Sequence, residues 1–571
     1  MPKGTQRLKG LAAAGGVAVG TAWWYHRPAL SVEPAQAADP EQERQRLHQA
    51  LGKARAELGE LLVQQKERLS QEEMAIFEAQ QLMLADPELI ARTEERIAQG
   101  CTAAWAWQEA TTQMAEALAA LPDPYFQERA ADVRDVARRV LRFLTGKVDQ
   151  ATLPSQPVVM LAEDLMPSDT VDLDPDRVLA FCTVGGGPTS HAAILARRLG
   201  IPAVVGVGEA LREVETGTTV LVDGDTGLVV VHPAPAEVEA ATRQQALQSA
   251  LHERATAKAH APAVTRDGRQ VEVAANVATL ADAQEAFHLG ADAIGLLRTE
   301  FLFLGRSSPP SEEEQFQAYR AIFHAMQGKP VVVRTLDVGG DKPLPYLSHP
   351  PEVNPFLGVR AIRLARDHPD MLRLQLRAIL RAGAGSPTRI MFPMVATVEE
   401  MRWLRTVVKE ALASLRAEGH PVPEDLQIGM MVEVPSAALL AEAFCPLVDF
   451  FSIGTNDLAQ YTLAADRTNA RVAALADGLH PAVLRLIDML VRAAHQHGRW
   501  VGVCGEIAGE TVAVPILIGL DVDELSVSPN RVPEVKEVVR KWEKRRAREV
   551  ARLALRQESP DQVRHLVLDR V

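Results

Sequence analysis

Gly185, Gly186 and Gly187 lead through Pro188 into Thr189 and Ser190, two residues suited to capping a helix, and His191 follows in the first turn. Ala192, Ala193, Ile194, Leu195 and Ala196 favour helix beyond it, until Gly200 and Pro202 stop them. Histidine titrates at about 6.5, so near pH 7 the neutral, nucleophilic imidazole dominates. Backbone N–H groups left free at a helix start would favour an added phosphoryl group. The same residues also read as a capped helix carrying an incidental histidine, and local physics alone leaves both readings open.

A second set of chemically capable residues is spread over the C-terminal half. Arg298 and Arg334 can form a fork-like clamp on a dianionic phosphate, or can form salt bridges with Glu300 and Asp337. Glu433 and Asp457 offer two carboxylates toward one point, the sparse ligation that magnesium accepts when substrate and water supply the rest. Asn456 and Arg467, on the loop that begins at Gly454, can bind substrate oxygens. Cys504, between Val503 and Gly505, is either inert packing or a proton donor, since a thiol near pKa ~8.5 is protonated at neutral pH.

These residues need elements to hold them. Beyond residue 262, eight strand-like runs alternate with helical or long connecting stretches: 271–278, 294–302, 331–339, 389–395, 428–435, 450–458, 500–506 and 524–529. Eight β and α units over roughly 300 residues predict a TIM (β/α)8 barrel, and the polar residues above fall near the C-terminal ends of its strands, where such folds do chemistry. Shorter runs at 157–161, 178–183, 203–207, 219–223 and 228–232, with the helix after His191, predict a small α/β domain completed by residues 1–30. Residues 40–146 read as helices throughout. Ile76 and Phe77 share a face with Met83 and Leu84; Val133, Val136, Val140 and Leu144 repeat at helical spacing, with Arg134, Asp135, Arg138 and Arg139 expected on the other side. The expected division is an α/β domain from 1–30 and 149–235, a helical bundle at 31–148, an exposed linker helix at 236–261 and the barrel at 262–571.

With 571 residues the chain exceeds one ordinary core, and at 47% hydrophobic and 24% charged it has the composition of a soluble globular protein. A net charge of −13 argues against nucleic acid as the main partner, and demands that arginines be concentrated locally if the substrate is anionic. The four cysteines, Cys101, Cys182, Cys445 and Cys504, have no metal-type spacing and read as reduced thiols in a cytoplasmic protein. Lys3, Arg7 and Lys9 ahead of the mild apolar run 11–24 sketch a signal peptide, but Gly15, Gly16, Gly20 and Thr21 weaken it. No segment has the ~18 apolar residues of a membrane helix.

The stretch from Gly185 to Arg197 resembles the phosphohistidine signature of the phosphoenolpyruvate-utilising enzymes, with Pro188 where arginine usually stands. The motifs around Arg298-Thr299-Glu300, Arg334-Thr335-Leu336-Asp337, Glu433-Val434-Pro435, Gly454-Thr455-Asn456-Asp457-Leu458 and Cys504-Gly505-Glu506 resemble, in order, the barrel of the enzyme I family of the sugar phosphotransferase system. The resemblance covers essentially the whole chain. It implies an α/β phosphohistidine swivel domain with an inserted helical bundle, and a phosphotransferase that moves phosphate from phosphoenolpyruvate to His191, releasing pyruvate, and then to the phosphocarrier protein HPr. It further implies that Arg298, Arg334, Arg467 and Asn456 bind substrate, and that Glu433 and Asp457 hold magnesium. Cys504 would protonate the enolate and Thr170 would orient His191; the helical bundle would dock HPr, and the barrel would form a homodimer. Two other readings are a dikinase or synthase of the same superfamily, which would need a nucleotide-binding domain where the helical segment stands, and a silent regulatory paralogue. The intact set of polar residues speaks against the second.

Overall fold

The computed structural model describes residues 5–25, 32–64, 77, 79–120, 124–146, 154, 156–163, 165, 177–187, 190, 192–193, 195–196, 200–304, 306, 308–339, 344, 346–347, 352–467, 469 and 471–570. The chain forms two compact units, Met1–Ala250 and Leu251–Val571.

In the first unit, eight strands make one sheet: β1 (Gln6–Lys9), β2 (Leu11–Ala14), β3 (Val17–Trp24), β4 (Val158–Ala162), β5 (Val178–Thr183), β6 (Ala203–Val205), β7 (Thr219–Asp223) and β8 (Leu228–Val231), in the order β1-β8-β7-β3-β4-β5-β6-β2. The β3-β4-β5-β6 pairings are parallel and the others antiparallel. The apolar run at 11–24 is therefore sheet: its alternating small and branched residues pair through β2 with β6, and through β3 with β4 and β7. Ala192, Ala193, Leu195 and Ala196 are helical and fully buried against this sheet.

Between β3 and β4 lie the helices Pro40–Gln64, Pro87–Ala98, Ala103–Ala119 and Pro124–Thr145. Phe77, Leu84, Val136 and Val140 meet in one core with Trp107, as the helical spacing predicts. The polar face differs from expectation. Arg134 is exposed, but Asp135 is buried and accepts a hydrogen bond from Gln80 at 3.0 Å, while buried Arg139 pairs with Glu57. Both charges are turned inward because a partner on another helix satisfies them. A long helix, Pro235–Ala257, follows β8.

The second unit is a closed barrel of eight parallel strands: β9 (Glu272–Val277), β10 (Ile294–Leu297), β11 (Val331–Arg334), β12 (Thr388–Phe392), β13 (Leu426–Val432), β14 (Phe450–Ile453), β15 (Trp500–Val503) and β16 (Glu524–Val527), with β16 closing on β9. Leu296, Val332, Met391, Met431, Phe450 and Cys504 share one cluster with Trp500. The Trp500 ring stacks on Phe450 at 4.5 Å, and the Arg389 guanidinium lies over Trp500 at 4.6 Å while bridging to Glu272 at 3.1 Å. These large side chains fill the barrel from its N-terminal end, as expected for a packed core rather than a pore. Every strand stops short of the sequence-based expectation. Arg298, Glu433 and Cys504 stand one residue past β10, β13 and β15, and Asn456 and Asp457 are in the first turn of the helix Thr455–Leu463 after β14.

Among the described residues no helix is long and apolar enough to cross a membrane. The four cysteines are all free.

Candidate active site

At the C-terminal end of the barrel strands, buried charges of both signs are knitted together. Arg360, on the segment after β11, donates from Nε and Nη2 to the two carboxylate oxygens of Asp337 at 2.8 and 2.9 Å. It also donates from Nη1 and Nη2 to the two oxygens of Asp457 at 3.2 and 3.1 Å. Burial opposes its charge, but Asp337 and Asp457 outweigh that and hold the guanidinium above the ordinary arginine value. The sequence reading missed Arg360. The available signal was an arginine inside the otherwise apolar stretch Leu357-Gly358-Val359-Arg360-Ala361-Ile362.

Arg334, the last residue of β11, contacts Glu300 Oε1 at 2.5 Å and Asp337 Oδ2 at 3.2 Å. Both salt bridges left open by the sequence are thus formed. They do not exhaust the side chain: its Nε is buried with no hydrogen-bond partner among the described residues. An unmet buried donor costs about 1–3 kcal/mol, so a ligand oxygen would find a donor waiting there. Arg298 is exposed and carries no ion pair among the described residues. Arg467 is also exposed, with Nη2 3.8 Å from Asp457 Oδ1.

Glu433 is 1% exposed, and its Oε1 accepts the backbone N–H of Met394 at 2.5 Å. Met394 has φ +57°, a left-handed conformation that costs a non-glycine residue of order 1–3 kcal/mol and here aims its N–H at the carboxylate. Burial raises the Glu433 pKa to about 8, reinforced by the charges of Asp457 and Asp337 and opposed by Arg360 and Arg334. A divalent cation would relieve that crowding of carboxylates. Among the described residues, no group of three or more histidine, cysteine, aspartate or glutamate side chains is arranged to hold a metal. The residues therefore fit magnesium only as a two-carboxylate site completed by substrate and water, with Asp457 offering the lone pairs that Arg360 leaves free.

Cys504 is buried, with Sγ 3.6 Å from the Ile453 carbonyl oxygen. Burial pushes its pKa up to about 11; the charges of Glu433 and Glu524 push the same way, and the Arg334 charge opposes them. The thiol is therefore fully protonated at neutral pH and available as an acid. Asn456 has its carboxamide engaged with Glu506, Nδ2 donating to Oε1 and Oδ1 accepting from the Glu506 backbone, both at 3.0 Å. The structure thus brings Arg334, Glu433 and Cys504 into mutual electrostatic contact, sets Asp457 against Glu433, adds Arg360 as the partner of Asp457, and leaves Arg298 and Arg467 exposed. His191 and Thr170 lie outside the described residues.

The arrangement combines a buried thiol, two buried arginines and a carboxylate pair, groups whose chemistry suits transfer of an anionic group with protonation of what it leaves. The sequence matches the PEP-utilising enzyme, PEP-binding domain family over residues 252–544. It also matches the PEP-utilising enzyme, N-terminal family over 9–129 and the mobile domain family over 154–227. It is 45% identical to the phosphoenolpyruvate-protein phosphotransferase of Priestia megaterium, covering 95% of both chains. The enzymes of that name from Geobacillus stearothermophilus and Bacillus subtilis (strain 168) are 45% and 43% identical, the matches covering 96% and 95% of this chain and 95% of each of theirs. The chain, a multidomain α/β protein with a C-terminal barrel, therefore belongs to the phosphoenolpyruvate-protein phosphotransferases.

Proposed function

We propose that phosphoenolpyruvate binds at the barrel mouth and phosphorylates His191, and that His191 then passes the phosphoryl group to the phosphocarrier HPr, the first step of phosphotransferase-system sugar uptake. The observation that carries this reading is the buried Cys504 thiol at the mouth of the barrel, beside a buried cluster of arginines and carboxylates. Arg298, Arg334, Arg467 and Asn456 bind the anionic substrate, and Arg360 holds the acidic side chains in register. Magnesium, held by Glu433 and Asp457, supplies charge neutralisation on the transferring group when bound.

The neutral imidazole of His191, oriented by Thr170, attacks phosphorus, and the bond from phosphorus to the enol oxygen breaks. Cys504 delivers its proton to the methylene carbon of the enolate, giving pyruvate and a thiolate that regains a proton before the next cycle. That protonation removes the enolate and makes the transfer strongly downhill.

The division of labour follows the domain order. The α/β swivel domain of 1–30 and 149–235 carries the phosphohistidine, and the bundle of 31–148 docks HPr. The helix within 236–261 links them to the barrel of 262–571, which binds phosphoenolpyruvate and forms the homodimer contact. The setting is the cytoplasm, where both phosphoenolpyruvate and HPr occur.

Mixing the protein with phosphoenolpyruvate, magnesium and HPr tests the reading. Pyruvate and phospho-HPr should appear in equal amounts. Pyruvate without phospho-HPr would point to another acceptor, and neither product would point to a silent paralogue.

A further inference from the structure

The loops after β14 and β15 are stitched together beside the proposed substrate site. Asn456 Nδ2 donates to Glu506 Oε1 at 3.0 Å, and the Glu506 backbone N–H donates to Asn456 Oδ1 at 3.0 Å. Chemistry permits only this orientation of the carboxamide. A backbone N–H can only donate, so it must meet Oδ1; an ionised carboxylate can only accept, so it must meet Nδ2. The two loops also touch closely between these groups: a Cβ on Gly505 would collide with Thr455 Oγ1 and the Thr455 backbone N. Asn456 sits in the first turn of the helix Thr455–Leu463, next to Asp457, with one amide hydrogen committed to Glu506 and the second without an acceptor among the described residues.

We propose that Glu506 is a positioning residue that fixes the Asn456 carboxamide so that an N–H, and not the amide oxygen, faces the substrate. The inference rests on the reading that Asn456 contacts substrate oxygens. The oxygens of ionised phosphoenolpyruvate, on phosphate, carboxylate and the bridging enol ester, are hydrogen-bond acceptors. A reversed amide would set oxygen against oxygen. The same clasp joins the loop that binds the anion to the loop that carries Cys504, so the proton donor and the substrate-binding group are held in one frame.

Steady-state kinetics on a double-mutant cycle tests this with the full-length protein. Glu506→Ala keeps the backbone N–H on Oδ1 but releases Nδ2, and should raise KM for phosphoenolpyruvate roughly tenfold, the size of one charge-assisted hydrogen bond, with kcat changed much less. Glu506→Gln, which keeps an acceptor for Nδ2, should stay within about threefold of the parent enzyme. In an Asn456→Ala background, Glu506→Ala should cost nothing more, because Glu506 acts through Asn456. Glu506→Ala with unchanged kinetics, or with the same loss whether or not Asn456 is present, would overturn the proposal. An Asn456→Ala enzyme with the parent KM would instead remove Asn456 from the substrate site, and the proposal with it.

Discussion

Glu433→Gln should stabilise the metal-free protein at neutral pH while abolishing turnover. The Glu433 carboxyl is driven from an ordinary 4.5 to about 8, first by burial and then by Asp457 and Asp337. A group whose folded pKa is raised binds more protons folded than unfolded between those two values, so stability falls as pH rises through that window and is level on either side. At about 1.4 kcal/mol per pH unit, the barrel loses about 3 kcal/mol between pH 5 and pH 7, and about 1 kcal/mol more by pH 8. Glutamine keeps an acceptor for the Met394 N–H but does not titrate, so it escapes this loss. For a unit the size of Leu251–Val571, 1 kcal/mol corresponds to about 1.5 °C in Tm. Scanning calorimetry in chelator should show the parent barrel transition dropping by about 4 °C relative to Glu433→Gln between pH 5 and pH 7. Added magnesium should flatten the parent curve and leave the variant unchanged. Parallel curves for the two proteins from pH 5 to pH 8 would refute the crowded, buried carboxyl and the metal site built on it.

Removing the Arg360 guanidinium, as in Arg360→Met, takes the bidentate partner from Asp337 and Asp457, leaves Arg334 still paired with Asp337, and should cost about 3–5 kcal/mol in urea unfolding. A loss under about 1 kcal/mol would mean that other groups already balance those charges. Cys504→Ala should cut kcat for pyruvate formation by about 100-fold or more and leave the binding constant for phosphoenolpyruvate nearly unchanged, because its role begins only when the enolate forms. An unchanged turnover number would reduce Cys504 to packing.

The barrel was legible in the sequence because each strand is a short apolar run ended by polar residues at a regular interval. Strand ends were not, since apolar neighbours such as Phe301 and Leu302 continue the pattern into a 3-10 turn after β10. Arg334, Glu433 and Cys504 could still be found as polar or reactive residues closing apolar runs, and Asp457 from the polar stretch that follows β14. Arg360 could not, because it enters the cluster from an irregular segment whose placement depends on a tertiary contact, the bridge between Gly339 and Arg360. Asp135 and Arg139 misled for the opposite reason: helical spacing marks them as polar-face residues, whereas their partners Gln80 and Glu57 come from other helices. Charge alone says nothing about where a distant partner will lie. The mild apolar run at 11–24 was ambiguous for the same reason, and only its pairing with β4, β6 and β7 makes it sheet.

Every role proposed for the barrel residues depends on phosphate passing from phosphoenolpyruvate to His191. Incubation with phosphoenolpyruvate labelled in its phosphate, with magnesium and without HPr, followed by alkaline digestion and peptide mapping, addresses it directly. One acid-labile, alkali-stable phosphoryl group per chain should appear on the peptide containing His191, and none on a folded His191→Ala protein. Label that persists on His191→Ala, or that maps to any other residue, would contradict it.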